Sequence, residues 1–81
     1  MIIALTHLQS GQTATVREVC GGRRVTQRLA AVGIMVGAPI AVQRNHGTLV
    51  VRIRGDRMIL GRGVAAKIMV ERTGPAAPHT P

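Results

Sequence analysis

The run from Arg24 to Val42 reads as a short amphipathic helix stopped by one glycine and followed, after a second glycine, by a β-strand. Val25, Leu29 and Val32 recur at i, i+4 and i+7, which gives the helix one apolar face and leaves Gln27, Arg28 and Ala31 on the others. Gly33 stands where helices commonly end in a left-handed residue, a conformation that a side chain makes costly. Beyond Gly37 the period changes to two. Ile40 and Val42 alternate with Pro39 and Ala41, so the two pairs face opposite sides of a sheet.

The remaining segments carry the strand period. Gln12 to Val19 alternates, with Ala14 and Val16 on one face and Thr13, Thr15 and Arg17 on the other. Val19 is one step out of phase, which predicts a bulge before the Gly21-Gly22 turn. Ala38 to Arg44 and Thr48 to Arg54 flank Asn45-His46-Gly47, a connection suited to a hairpin with an irregular tip. In the second of these strands Leu49, Val51 and Ile53 point one way, and Val50, Arg52 and Arg54 the other. Gly55-Asp56 then turns the chain into Arg57 to Leu60, where Met58 and Leu60 share a face. Gly61 and Gly63 interrupt that run, a single helical turn around Val64 to Ala66 follows, and Ile68 and Val70 form a closing strand. The expectation is a mostly β fold of five short strands with one α-helix and a short helical turn before the last strand.

The 81 residues have no linker-like interior and fit one domain over residues 1–72, with 73–81 read as a disordered Pro/Ala tail. Phe, Tyr and Trp are absent, so the core must be packed with Leu, Ile, Val and Met alone. Eleven Lys and Arg against three Asp and Glu give a formal charge of +8. A field of that strength in so small a domain attracts a polyanion, an anionic membrane surface or an acidic protein face. No apolar stretch approaches the ~20 residues of a spanning helix. Met1 to Leu8 lacks the basic leader and the apolar length of a signal peptide, and the single Cys20 cannot close an intrachain disulfide. These features predict a cytoplasmic protein.

Chemistry-bearing sets are missing. His7, His46, His79 and Cys20 are the soft or borderline metal ligands, and no two stand at a spacing such as C-x-x-C or H-x-x-x-H. The expectation is no intrinsic metal site and no cofactor, with His46 a solvated hairpin tip and Cys20 a small strand-end residue. Cys20 has no His near it in sequence, and three scattered acids make no paired-carboxylate site. Gly61-x-Gly63 and Gly21-Gly22 lack the context and the Lys-Ser/Thr of a phosphate loop. The chain therefore reads as a non-enzyme.

Several motifs together carry a family resemblance. They are Leu8-x-x-Gly11, Ala14-x-Val16-x-x-Val19, Arg28-Leu29-x-x-Val32-Gly33-Ile34-x-x-Gly37-x-x-Ile40-x-Val42-x-Arg44, Val51-x-Ile53-x-Gly55, and Leu60-x-x-x-x-Ala65-x-x-Ile68-x-Val70. Spanning about Leu5 to Arg72, the pattern resembles the FeoA family, small cytosolic companions of the bacterial ferrous-iron transporter FeoB. Similar domains stand at the C-terminus of iron- and manganese-dependent repressors of the diphtheria-toxin-repressor type. The resemblance implies an SH3-like β-barrel with one inserted helix, and a role in protein contact with the cytosolic part of FeoB.

Four arginines are the candidate contact residues: Arg28, Arg44, Arg52 and Arg54. Arg28 lies beside Leu29, so it has two readings, a docking charge or a guanidinium that bonds carbonyls at a helix or loop end while its stem packs on the core. Arg44, Arg52, Arg54 and Arg57 fall on neighbouring strands and the next turn, where several can share an outer surface. A nucleic-acid-binding barrel is the alternative function, since +8 supplies phosphate attraction. Against it, single-strand binders stack bases on aromatic rings, and this chain has none. A short aliphatic edge of an open barrel could also pair weakly with a second copy.

Overall fold

The computed structural model describes residues 1–74. Six antiparallel strands form one sheet: β1 (Ile2–Ala4), β2 (Thr13–Val19), β3 (Pro39–His46), β4 (Thr48–Ile53), β5 (Asp56–Leu60) and β6 (Ile68–Gly74). Their order is β1-β6-β2-β3-β4-β5. The helix α1 (Gly22–Ala31) connects β2 to β3, a single turn α2 (Arg62–Ala65) precedes β6, and a 3-10 turn occupies Leu5–His7. The expected mostly β architecture is present, with one correction: there are six strands rather than five. β1 and β5 do not pair, so the sheet curls into an open barrel with an edge at either end. Ile2-Ile3-Ala4 has no polar alternation to mark it, and its pairing with Glu71, Val70 and Met69 is what makes it a strand.

Strand phases set the core. Ala14 and Val16 from β2, Ile40 and Val42 from β3, Leu49, Val51 and Ile53 from β4, and Ile68 and Val70 from β6 are all buried on the concave side. Leu5 and Leu8 close one end. The expected bulge in β2 lies between Val16 and Glu18, where Arg17 is the extra residue against β6, and it brings Val19 back to the inner face. β6 continues through Gly74, so Thr73 and Gly74 belong to the sheet. The rest of the expected tail, 75–81, lies outside the described residues.

The helix begins at Gly22, two residues before Arg24, and ends as the sequence suggests, though with a different apolar residue turned inward. Gly33 has φ 95°. Its N–H donates to the carbonyl of Ala30 (3.0 Å), and the N–H of Ile34 reaches back to Leu29 (2.9 Å). This pair of bonds satisfies the last helical carbonyls and brings Ile34 onto Leu29. Ile34 is therefore buried, whereas Val32, expected on the apolar face, is 46% exposed at the helix end.

Candidate functional site

The second half of the sheet, β3–β4–β5, carries the distinctive surface. Simple alternation from Ile40 and Val42 would aim Arg44 at the core. A register shift between Val42 and Arg44 makes Gln43 an extra residue, and Arg44 then pairs with Val50 and faces outward. Ala41 pairs with Arg52, and Arg52 with Arg57; Val50 pairs with Ile59. Two cross-strand rows result on the convex face, Ala41-Arg52-Arg57 and Arg44-Val50-Ile59. Opposed side chains in such rows lie about 4.5 to 5.5 Å apart at Cβ, and diagonal neighbours about 7 to 8 Å. Three guanidinium groups thus surround an apolar spot in which Ile59 is 69% exposed.

No acid neutralises these arginines among the described residues. Asp56 pairs with Ile53 and so lies on the opposite face from Arg57. Glu71 is held elsewhere, by Arg17 on the convex side of β2–β6, with Nε donating to its carboxylate at 2.8 Å. That hydrogen bond and the guanidinium charge lower the Glu71 carboxyl below its ordinary range. One part of the sheet is charge-balanced and the other is not.

The structure brings Arg44 and Arg52 together and adds Arg57. Arg54, expected on the same strand face, lies in the turn after β4. It has φ 54°, the one positive value among the described non-glycine residues, and Gly55 follows at φ 86°. Two such residues between paired Ile53 and Asp56 make the tight turn that normally carries Asn-Gly or Gly-Gly. Arg54 borders a shallow groove of about 420 Å³ together with Arg52, Thr15 and Pro39. Arg28 stands apart from the others. It lines a cleft of about 110 Å³ between α1 and α2 with Arg24, Val25, Leu29 and Val64. Among the described residues its guanidinium has no hydrogen-bond or ion-pair partner, and its side chain lies along the cleft beside Leu29.

Bonding of loop carbonyls belongs to Arg62 and Asn45, which the sequence reading passed over. The bulge at Gln43 turns Asn45 inward, opposite buried Leu49. Its Nδ2 donates to the carbonyls of Thr6 (3.0 Å) and Leu8 (2.8 Å). Arg62 Nη1 donates to Asn45 Oδ1 (2.8 Å) and to the Gly47 carbonyl (2.9 Å). Because carbonyls only accept and a guanidinium only donates, the network has one consistent orientation of the Asn45 amide. It ties the β3–β4 hairpin tip to the chain before β2. The available signal was Arg44, a charge in the phase of Ile40 and Val42, which marks a bulge and so an inward Asn45.

His7, His46 and Cys20 are exposed and dispersed, and His79 lies outside the described residues. Among the described residues no group of three His, Cys, Asp or Glu side chains stands close enough to hold a metal ion. No helix among them is long and apolar enough to cross a membrane.

Comparison with known proteins agrees with this architecture. Residues 3–72 match the family described as FeoA domain. A protein of Methanocaldococcus jannaschii named as Fe(2+) transport protein A is 35% identical over 68 residues, covering 83% of each chain. The crystal structure of an iron uptake regulatory protein, FeoA, superposes with a TM-score of 0.84 at 29% identity, covering 89% of this chain and 97% of that one. A manganese-dependent transcriptional repressor superposes with a TM-score of 0.80 at 23% identity, covering 88% of this chain and 41% of the repressor, and shares the fold alone.

Proposed function

The chain belongs to the FeoA family, and from that premise we propose that it is a non-enzymatic accessory of ferrous-iron uptake that works in the cytoplasm by contact with the cytosolic domains of a FeoB-type transporter. The observation that carries the contact reading is the convex face of β3–β4–β5, where Arg44, Arg52 and Arg57 surround exposed Ile59 without a carboxylate partner among the described residues. Exposed cations around an apolar centre suit an acidic protein surface. The charges steer encounter and reject basic partners, while burial of Ile59 and Val50 supplies the non-directional part of the affinity. Arg54 borders the same region from its turn, and Arg28 offers a separate charged cleft.

Purified soluble domains of the cognate FeoB should bind the protein, and the double variant Arg44→Glu, Arg52→Glu should weaken that binding while leaving the fold intact. Added salt should weaken it as well, because exposed charges are screened over roughly 8 to 10 Å at physiological ionic strength. Saturable RNA or DNA binding with a steep salt slope, and no capture of the transporter domains, would overturn this reading in favour of a nucleic-acid-binding barrel.

A further inference from the structure

The sheet ends at β5, and β4 is the one element packed closely along it among the described residues. The two-residue turn at Arg54-Gly55 determines which backbone groups of β5 are left over. Ile53 and Asp56 close such a turn as a hydrogen-bonded pair, so the hydrogen-bonded pairs continue at Val51 with Met58 and Leu49 with Leu60. The intervening residues, Arg57 and Ile59, therefore direct their N–H and C=O groups away from β4. No other backbone partner takes them among the described residues. The same two residues carry the side chains of the convex basic face.

We propose that this edge accepts an extended acidic segment of the partner as a seventh strand, its backbone bonded to Arg57 and Ile59, with carboxylates against Arg57 and Arg52 and an apolar side chain beside Ile59. The inference deepens the basic-face reading and rests on it. Edge addition supplies affinity through main-chain bonds and selectivity through alternate side chains. Here the alternation on the protein side is cation then hydrocarbon, which calls for acid then hydrocarbon on the incoming strand. A second copy fits poorly, since antiparallel pairing of β5 with itself sets Arg57 against Ile59 of the other copy and gathers the cations of two +8 chains on one face with no acid between them. The opposite edge, β1, is only three residues long, and the nearby convex charges Arg17 and Glu71 already satisfy each other.

The probe is a capped nine-residue peptide repeating Glu-Thr-Val-Thr, which sets Glu and Val alternately along one face of a strand (the Glu-Val peptide), with Lys in place of each Glu in the control of equal length (the Lys-Val peptide). In hydrogen-exchange NMR on the full chain, the Glu-Val peptide at saturation should slow exchange of the Arg57 and Ile59 amides by about tenfold or more, and the Lys-Val peptide should not. Ile59→Pro removes an N–H that faces away from β4, a substitution that an edge strand tolerates. It should weaken peptide binding about tenfold beyond Ile59→Ala, the change expected for one lost hydrogen bond. If Ile59→Pro does not fold, the exchange measurement on the parent chain decides. Absence of saturable peptide binding, equal protection by the Lys-Val peptide, protection confined to other amides, or a β5 edge already protected in a self-associated form each overturns the proposal. The transporter domains separate the two readings. If they bind with Arg57 and Ile59 exchange unchanged, strand addition falls and the basic-face contact stands; if they do not bind while the Glu-Val peptide protects β5, the reverse holds.

Discussion

The two halves of this single sheet treat charge differently. In β1–β6–β2 the convex cation Arg17 meets the carboxylate of Glu71 across a strand boundary. In β3–β4–β5 three convex cations, Arg44, Arg52 and Arg57, meet none among the described residues. Both halves contribute the same kind of aliphatic side chain to the concave core. The contrast teaches that the core does not distinguish the two halves, whereas the balance of outward charge does. With only three acids in the chain, the one that is paired marks the self-contained half. The unpaired half also holds the longer free edge and the turn with a strained arginine.

The largest expected effect tests what the two halves share. Leu29 packs in the common core, beside Ile34 on the connection from β2 to β3. Leu29→Ala should cost about 2 to 5 kcal/mol, read as a lower urea midpoint. A melt that overlays the parent curve would mean that α1 is not a core element of either half.

Next comes the clamp that holds the end of the unpaired half in place. Asn45→Ala leaves the carbonyls of Thr6 and Leu8 without their donor and frees the Arg62 guanidinium. The loss should be about 1 to 3 kcal/mol in the same assay. Arg62→Ala should cost less, because Asn45 keeps both of its carbonyl partners.

Arg54 sharpens the contrast in the other direction. Its left-handed backbone suits Asn better than Arg, so Arg54→Asn should stabilise the chain by roughly 1 kcal/mol. A thermal scan showing no gain would indicate that the turn is relaxed with arginine in place. Smaller still is the stability effect of the double variant Arg44→Glu, Arg52→Glu. Exposed positions away from caps and networks usually stay within about 0.5 kcal/mol, so its chemical melt should match the parent even though partner binding falls.

The smallest effect belongs to the balanced half. The Glu71 carboxyl is lowered in the folded chain by its hydrogen bond to Arg17 and by that charge. The pair's contribution is therefore complete above the ordinary carboxylate range and is lost as pH falls through the lowered folded value. Stability measured from neutral pH downward should decline slightly more in the parent than in Glu71→Gln. Identical acid profiles would show that the pair contributes nothing to folding.

Much of the fold was legible because it rests on local rules. The strand phases of Leu49, Val51 and Ile53 and the bulge after Val16 followed from period alone, and so did the glycine stop at Gly33. The candidate surface was legible in part. Arg44 and Arg52 were placed together by their neighbouring strands, but Arg54 was carried into the strand by alternation when the turn claimed it. Arg28 was weighed for a bonding role that Arg62 performs. Asn45 looked like a hairpin tip because its partners, Thr6 and Leu8, are 39 and 37 residues away.

The sequence by itself determined the residue period, the glycine positions, the aliphatic core and the excess of cations, and its motifs determined the family. Periodicity and φ preference act over a few residues, so a linear reading captures them. Only the tertiary structure decided that Ile2–Ala4 is a strand, that Gln43 bulges and turns Arg44 outward, and that β5 is a free edge among the described residues. It also decided that Glu71 neutralises Arg17, a residue 54 positions away, and leaves the arginines of β3–β4–β5 unbalanced. Pairing, register and charge balance are properties of two segments at once, and their energies exist only when folding brings those segments into contact.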